Sequence, residues 1–131
     1  MVVPRFISAA LKGEPLQVFG PGDQSRCFCH VYDAIEAIIA VLDSSASVGQ
    51  VLNIGNNQEV SIFELAMEVK QLLNSNSEIV SIPYSQAYGT GFEDLQRRVP
   101  DISRIAEVTG WIPIRDRKSM ILDTAEFIRS R

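Results

Sequence analysis

An α/β fold is what this sequence predicts, and three observations predict it. Apolar residues recur at helical spacing in several separate segments. Between them stand short apolar runs punctuated by glycine and proline, as buried strands are. The resulting order is helix, strand, strand, helix, strand, helix, strand, helix, helix, so the two element types alternate rather than segregate. The 131 residues are read as one region, 1–131, either a single domain or a fragment of a larger one. Its strands are fewer than a self-sufficient open sheet has.

Val3, Phe6, Ile7, Ala10 and Leu11 predict an opening helix that Gly13 stops. QVF is a strand, GPGDQS a loop, and RCFCHV a second extended piece. Asp33 is placed to cap a helix over about 34–42, where Ile35, Ile38, Ile39 and Leu42 form an apolar stripe. Ala37 and Val41 widen that stripe, so the helix is expected to be covered on more than one side. QVLNIG, residues 50–55, reads as a buried strand. SIFE at 61–64 is a capping box opening a helix with Ile62, Leu65, Ala66, Val69, Leu72 and Leu73 on one face. EIVSIP is a strand ended by Pro83, and 85–99 is irregular. Asp101 as cap and Gly110 as stop bracket a short helix. Ile121, Thr124, Ala125 and Ile128 set the inner face of a last helix over about 117–128.

Composition narrows the function. The net charge is −4 and the arginines are scattered, which argues against nucleic acid as a partner. No apolar run is long enough to span a bilayer, so no membrane partner is expected. Two cysteines make no disulfide framework, and a reducing, cytoplasmic setting follows as the expectation. Cys27, Cys29 and His30 lack the second ligand pair that a zinc site needs, so no metal is expected and the thiols read as small buried hydrophobes.

The richest stretch is VFGPGDQSRCFCHVYD, residues 18–33. Gly20 and Gly22 match the start of a dinucleotide fingerprint, but Ser25 stands at its third glycine and an extended piece rather than a helix follows. The loop is therefore not a dinucleotide site. Arg26 leaves the turn directly, and its planar fork suits phosphate or carboxylate. It serves either such a ligand or a surface carboxylate, and Phe19 either faces a base or sugar or belongs to the core. Arg97 and Arg98 approach Pro100 on extended backbone. Either one of them is held inward, or the pair balances Glu93 and Asp94.

VVPRFISAALKGEPLQVFGPGDQSRCFCHVYDAIEAI (2–38), VLNIGNNQEVSIFELA (51–66), RRVPDISRI (97–105) and GWIP (110–113) together resemble the C-terminal part of the extended short-chain dehydrogenase/reductase family. These are the NAD-dependent nucleotide-sugar epimerases and dehydratases, and the likeness is strongest to its UDP-glucuronate decarboxylases and UDP-glucose 4-epimerase-like members. The resemblance implies the C-terminal portion of an extended Rossmann-type fold, without the N-terminal dinucleotide-binding half. It implies a UDP- or dTDP-sugar ligand, with Arg26 on the diphosphate and Arg98, or its rival Arg97, as the second diphosphate arginine. Phe19 and Gln17 would line the nucleotide pocket, Phe6 would lie near base and ribose, and Asp33 would cap its helix.

NAD is implied for the whole enzyme and not for this chain alone, which has neither the family's Gly-rich unit nor its Tyr-x-x-x-Lys pair. Tyr84 is followed four residues on by Tyr88, and Tyr32 by Glu36. No catalytic residue is therefore assigned. The expected function is the nucleoside-diphosphate-sugar binding region of an epimerase, dehydratase or decarboxylase. The alternative is a non-catalytic, stand-alone interaction or dimerisation module. The expected protein partner is a missing N-terminal domain or a second copy. A homo-oligomer is expected, with contacts through the first helix or the strand at 51–54.

Overall fold

A computed structural model describes residues 1–87 and 94–131, so positions 88–93 of the segment expected to be irregular, Tyr88 and Glu93 included, lie outside the described residues. In chain order the elements are α1 (Val2–Lys12), β1 (Leu16–Phe19), β2 (Ser25–Cys27), α2 (Val31–Asp43), a 3-10 turn (Ser45–Ser47), β3 (Glu59–Ser61), α3 (Ile62–Leu72), β4 (Ile79–Ile82), α4 (Tyr84–Ala87), β5 (Arg97–Arg98), α5 (Ser103–Thr109) and α6 (Arg117–Arg129). The chain divides into two compact units. Met1–Arg26, Val60–Arg97 and Ile121–Arg131 make the first, and Cys27–Glu59 with Arg98–Met120 the second. Among the described residues no helix is long and apolar enough to cross a membrane.

In the first unit β1 and β4 pair in parallel, Leu16 opposite Ile79 and Phe19 opposite Ile82. Leu16 and Val18 alternate onto one buried face, as the two-residue period of a strand requires. Both α1 and α3 contact β1 and each other. α1 buries Val3, Phe6, Ile7 and Ala10, and α3 buries Ile62, Leu65, Ala66 and Val69; each set has the i, i+3, i+4, i+7 spacing of one helix face. Gly13 ends α1 in the left-handed conformation, φ 72°. The capping box forms as expected: the Glu64 N–H donates to Ser61 Oγ at 3.1 Å, and the Ser61 N–H donates to Glu64 Oε2 at 3.0 Å. Ile121 and Ala125 of α6 are buried in the same unit. A second sheet has the strand order β3, β2, β5.

In the second unit Ala37 of α2, Ile105 of α5 and Trp111 form the core, with Ala40, Val41, Leu52 and Ile102 packed against it. Three expectations change here. The cap of α2 is His30, whose Nδ1 accepts from the Tyr32 N–H at 3.2 Å; Asp33 lies within the first turn and is fully buried. The stripe of Ile35, Ile38, Ile39 and Leu42 is exposed rather than covered, because small Ala37 occupies the core side of the helix. Residues 51–54 form no strand, since no strand among the described residues pairs with them. Leu52 packs into the core and Asn53 Nδ2 donates to the Asp101 carbonyl at 3.0 Å instead.

Asp101 is displaced by one residue from its expected role. Ile102 is the N-cap of α5, but Asp101 Oδ1 accepts from the Ser103 N–H at 2.9 Å and does the work of a capping oxygen. Gly110 closes the helix at φ 76°, as expected.

A buried carboxylate needs a partner, and Asp33 has one from 82 residues away. Arg115 Nη1 donates to Asp33 Oδ1 at 2.5 Å, and the Arg115 N–H donates to Oδ2 at 3.1 Å. The same guanidinium grips Glu36 at 2.8 and 3.1 Å, and those hydrogen bonds hold the Glu36 carboxyl below its ordinary range. Removing Arg115 leaves a fully buried charge uncompensated. Arg115→Ala is expected to cost roughly 3–5 kcal/mol in urea unfolding, with part recovered when Asp33→Asn is added. A loss under about 1 kcal/mol, the range of an exposed pair, would show that this bridge does not carry the buried charge.

Candidate functional site: the turn after β1 and its arginine

The turn at 20–25 is where the first unit brings its chemistry together. Gly20 has φ 71° and Gly22 φ 81°, conformations that side chains rarely adopt. Neither position has room for a Cβ. At Gly20 it would stand 2.4 Å from the Tyr84 ring, and at Gly22 2.7 Å from Val18 Cγ1 and 3.1 Å from Phe63 Cβ. The turn's backbone is tied on three sides. The Gly20 N–H donates to the Ile82 carbonyl at 2.8 Å, the Phe63 N–H to the Gly22 carbonyl at 2.9 Å, and the Ile62 N–H to the Gln24 carbonyl at 3.1 Å. Gln24, almost fully buried, spans the turn from inside by donating Nε2 to the Phe19 carbonyl at 3.0 Å.

These contacts fill the space that a dinucleotide's pyrophosphate would need beside the glycines. The helix that follows, α2, does not open until Val31. The loop therefore does not fit NAD, and no hydride step is assigned to it.

Arg26 comes off this turn on β2. Its Nη1 donates to the Ser25 carbonyl at 2.7 Å, and its Nη2 meets Asp94 Oδ1 at 2.6 Å. The pair is mostly shielded, with side-chain exposures of 15% and 22%. The Tyr84 hydroxyl donates to the other Asp94 oxygen, Oδ2, at 3.3 Å. Burial first, and then the Asp94 charge, push the Tyr84 phenol above its ordinary value. Asp94, which one of the two readings set against Arg97 and Arg98, thus pairs with Arg26.

The other expected residues are placed as follows. Phe19 is half-buried, and the Arg5 guanidinium lies over its ring at 4.0 Å. Gln17 is exposed on a groove of about 450 Å³ that Arg5, Ser8 and Glu14 also line, and its carbonyl accepts from Arg5 Nη2 at 3.0 Å. Arg97 lies exposed on β5, in the first unit with Arg26; Arg98, also exposed, is counted in the second. Phe6 is a correction: it is fully buried in the α1 core face and offers a ligand no surface. Arg5 is the member that sequence reasoning missed, whereas Tyr84 and Asp94 were weighed there without being joined to Arg26. The one available signal was Arg5, four residues after the start and one before Phe6, on the helix face opposite the core.

The cysteines also find ordinary roles. Both are half-buried without a disulfide, Cys29 Sγ donates to the His30 carbonyl at 3.6 Å, and burial raises the Cys29 thiol pKa.

Because Gly13 and Gly20 share nearly the same φ, a pair of alanine variants separates backbone strain from crowding. Gly13 has nothing within 4 Å of its added Cβ. Gly13→Ala is expected to cost about 1–2 kcal/mol from the left-handed backbone alone. Gly20→Ala should cost about 1–3 kcal/mol more, since Tyr84 must move. Equal losses in thermal unfolding would mean that the Tyr84 contact does not constrain the turn.

Comparison with known proteins places these features. Residues 1–55 match the family model described as the NAD dependent epimerase/dehydratase family. A UDP-N-acetyl-α-D-glucosaminuronate decarboxylase of Bacillus cytotoxicus is 41% identical over 98% of this chain, which spans 40% of that protein. UDP-glucuronic acid decarboxylase 1 of Xenopus tropicalis is 37% identical over 98% of the chain and 28% of its own length. Among solved structures, UDP-glucose 4-epimerase of Thermotoga maritima with UDP-glucose aligns at a TM-score of 0.87 and 25% identity, over 99% of this chain and 40% of that one. The fold is likewise that of UDP-glucuronic acid 4-epimerase from Bacillus cereus, solved with UDP-glucuronic acid and NAD, at 21% identity, TM-score 0.87, over 99% of this chain and 40% of that one. The chain spans 40% or less of each of these relatives, and it belongs to the extended short-chain dehydrogenase/reductase family of NAD-dependent epimerases and dehydratases.

Proposed function

We propose that this chain is the nucleoside-diphosphate-sugar binding region of an NAD-dependent epimerase, dehydratase or decarboxylase, and that Arg26 holds the diphosphate. The observation that carries the reading is the seat of Arg26. A shielded guanidinium is fixed at the exit of a tight turn, with N–H groups to spare beyond those given to Ser25 and Asp94. Such a fork binds phosphate through paired, charge-assisted hydrogen bonds.

The relatives support the same reading. Their names differ in reaction, decarboxylation or 4-epimerisation, and agree in a UDP-linked sugar. A region common to them is suited to the part of the ligand they share. Phe19 and Gln17 on β1 line the approach to the nucleotide, and Arg97, in the same unit, adds positive charge. NAD held by the rest of such an enzyme would supply a hydride acceptor for the sugar; the residues here anchor and orient the ligand.

Calorimetric titration with UDP tests this. Arg26→Ala is expected to lose roughly 1.5–3 kcal/mol, or about 10–150-fold in affinity. Arg26→Lys should recover little, because a point charge cannot copy the fork. Binding that is unchanged in Arg26→Ala would refute the assignment.

A second reading, an interaction or dimerisation module, is favoured by one observation. Val31, Ile35, Ile38, Ile39 and Leu42 of α2 are 46–78% exposed along one helix. An open apolar helix face of this kind marks an interaction surface. A complementary domain or a second copy of the chain would cover it, through α2 rather than through α1, whose apolar face is already buried. Light scattering over a dilution series is expected to find a dimer or larger species, shifted toward monomer in Ile39→Glu. A compact monomer at every concentration would rule this surface out as a self-contact.

A further inference from the structure

We infer that Asp94, steadied by Tyr84, is the positioning residue for the Arg26 guanidinium. The inference rests on the proposal that Arg26 holds the diphosphate, and it concerns a residue to which that proposal gives no role. An arginine side chain has several rotatable bonds, and immobilising it costs affinity unless it is already fixed before the ligand arrives. Arg26 is fixed at two points, by the Ser25 carbonyl at 2.7 Å and by Asp94 Oδ1 at 2.6 Å. Asp94 is fixed in turn, because its second oxygen accepts from the Tyr84 hydroxyl at 3.3 Å. Tyr84 is wedged against Gly20, where no Cβ fits. The line from turn to tyrosine to carboxylate to arginine lies within one unit and joins residues 68 apart in sequence.

A carboxylate beside a phosphate also repels it, so orientation and repulsion act in opposite directions. The anchoring of both carboxylate oxygens favours orientation: a carboxylate that yields to the ligand would have to break its bonds to Arg26 and to Tyr84 together. Asparagine at 94 keeps an acceptor oxygen while removing the charge. Alanine removes both.

UDP titration of the 131-residue chain and its variants decides the matter. Asp94→Ala is expected to weaken UDP binding about tenfold, with Asp94→Asn recovering most of the loss. In the Arg26→Ala background, Asp94→Ala should have no further effect, since it acts through that guanidinium. Tyr84 supplies a readout that needs no ligand. Its phenol, followed by ultraviolet absorbance against Tyr84→Phe, is expected to titrate at lower pH in Asp94→Asn than in the unaltered chain. It should stay above its ordinary value, because burial is the larger cause.

Tighter binding by Asp94→Ala would overturn the inference, because the carboxylate would then be a competitor of the phosphate. An undiminished loss in the Arg26→Ala background would overturn it as well, because Asp94 would then touch the ligand itself. Equal UDP binding by the unaltered chain and Arg26→Ala strikes instead at the diphosphate assignment. In that case the Tyr84 titration still reports whether the cluster exists.

Discussion

The first unit depends on a turn with no side chains at two positions. Gly20 and Gly22 let the chain turn between β1 and β2 in left-handed conformations while Tyr84, Val18 and Phe63 close in on it. That closeness lets one short loop collect hydrogen bonds from the end of β4 and the start of α3. The Ser81 hydroxyl adds another, to the Gly20 carbonyl at 2.7 Å. With its backbone held this way, the turn delivers Arg26 at a defined place on β2. A larger residue at either glycine would push the same neighbours apart, and the arginine would lose its setting with them.

The second unit is organised by a different constraint, a charge with no solvent. Asp33 is fully buried in the first turn of α2, where the helix dipole favours an anion, yet the dipole alone does not offset desolvation. Arg115 closes the gap and reaches Glu36 one turn along the exposed side of the helix. The small residues Ala37 and Ala40 then let α5 and Trp111 come close to α2. The larger side chains, Ile35, Ile38, Ile39 and Leu42, are consequently left to the outside. The apolar pattern of this helix therefore reflects two faces, one packed and one open.

Local signals in the sequence were legible where the chain decides locally. Gly13 and Gly110 ended helices, Ser61 and Glu64 made their box, and the 3.6-residue spacing of α1 and α3 chose the buried face. Reading failed where distant residues decide. Asp33 looked like a cap because aspartate so often is one, but Arg115, 82 positions away, draws it inward and leaves His30 to cap. QVLNIG has the composition of a buried strand but lacks a neighbouring strand among the described residues, so its hydrogen bonds go elsewhere. Broad apolar character on α2 could not reveal which side was packed. Within the candidate site, Arg26 stood out by following a tight turn, whereas Asp94 and Tyr84 are joined to it only by the fold.

If Arg26 holds the diphosphate as proposed, its pairing also bears on how an acidic chain can keep an anion seat ready. With a net charge of −4 the molecule does not attract anions as a whole, so attraction must be local and short-ranged. A bare guanidinium at 15% exposure would be costly to maintain without a ligand, because it gives up water and gains nothing. Asp94 and the Ser25 carbonyl compensate it. The fork is thereby kept ordered and partly screened, instead of folding back onto whichever carboxylate lies nearest. Such an arrangement gives up some raw attraction for a phosphate and gains a fixed direction of approach. For a ligand whose far end must be presented to a second site, direction matters more than strength, because a diphosphate held loosely would leave the sugar unplaced.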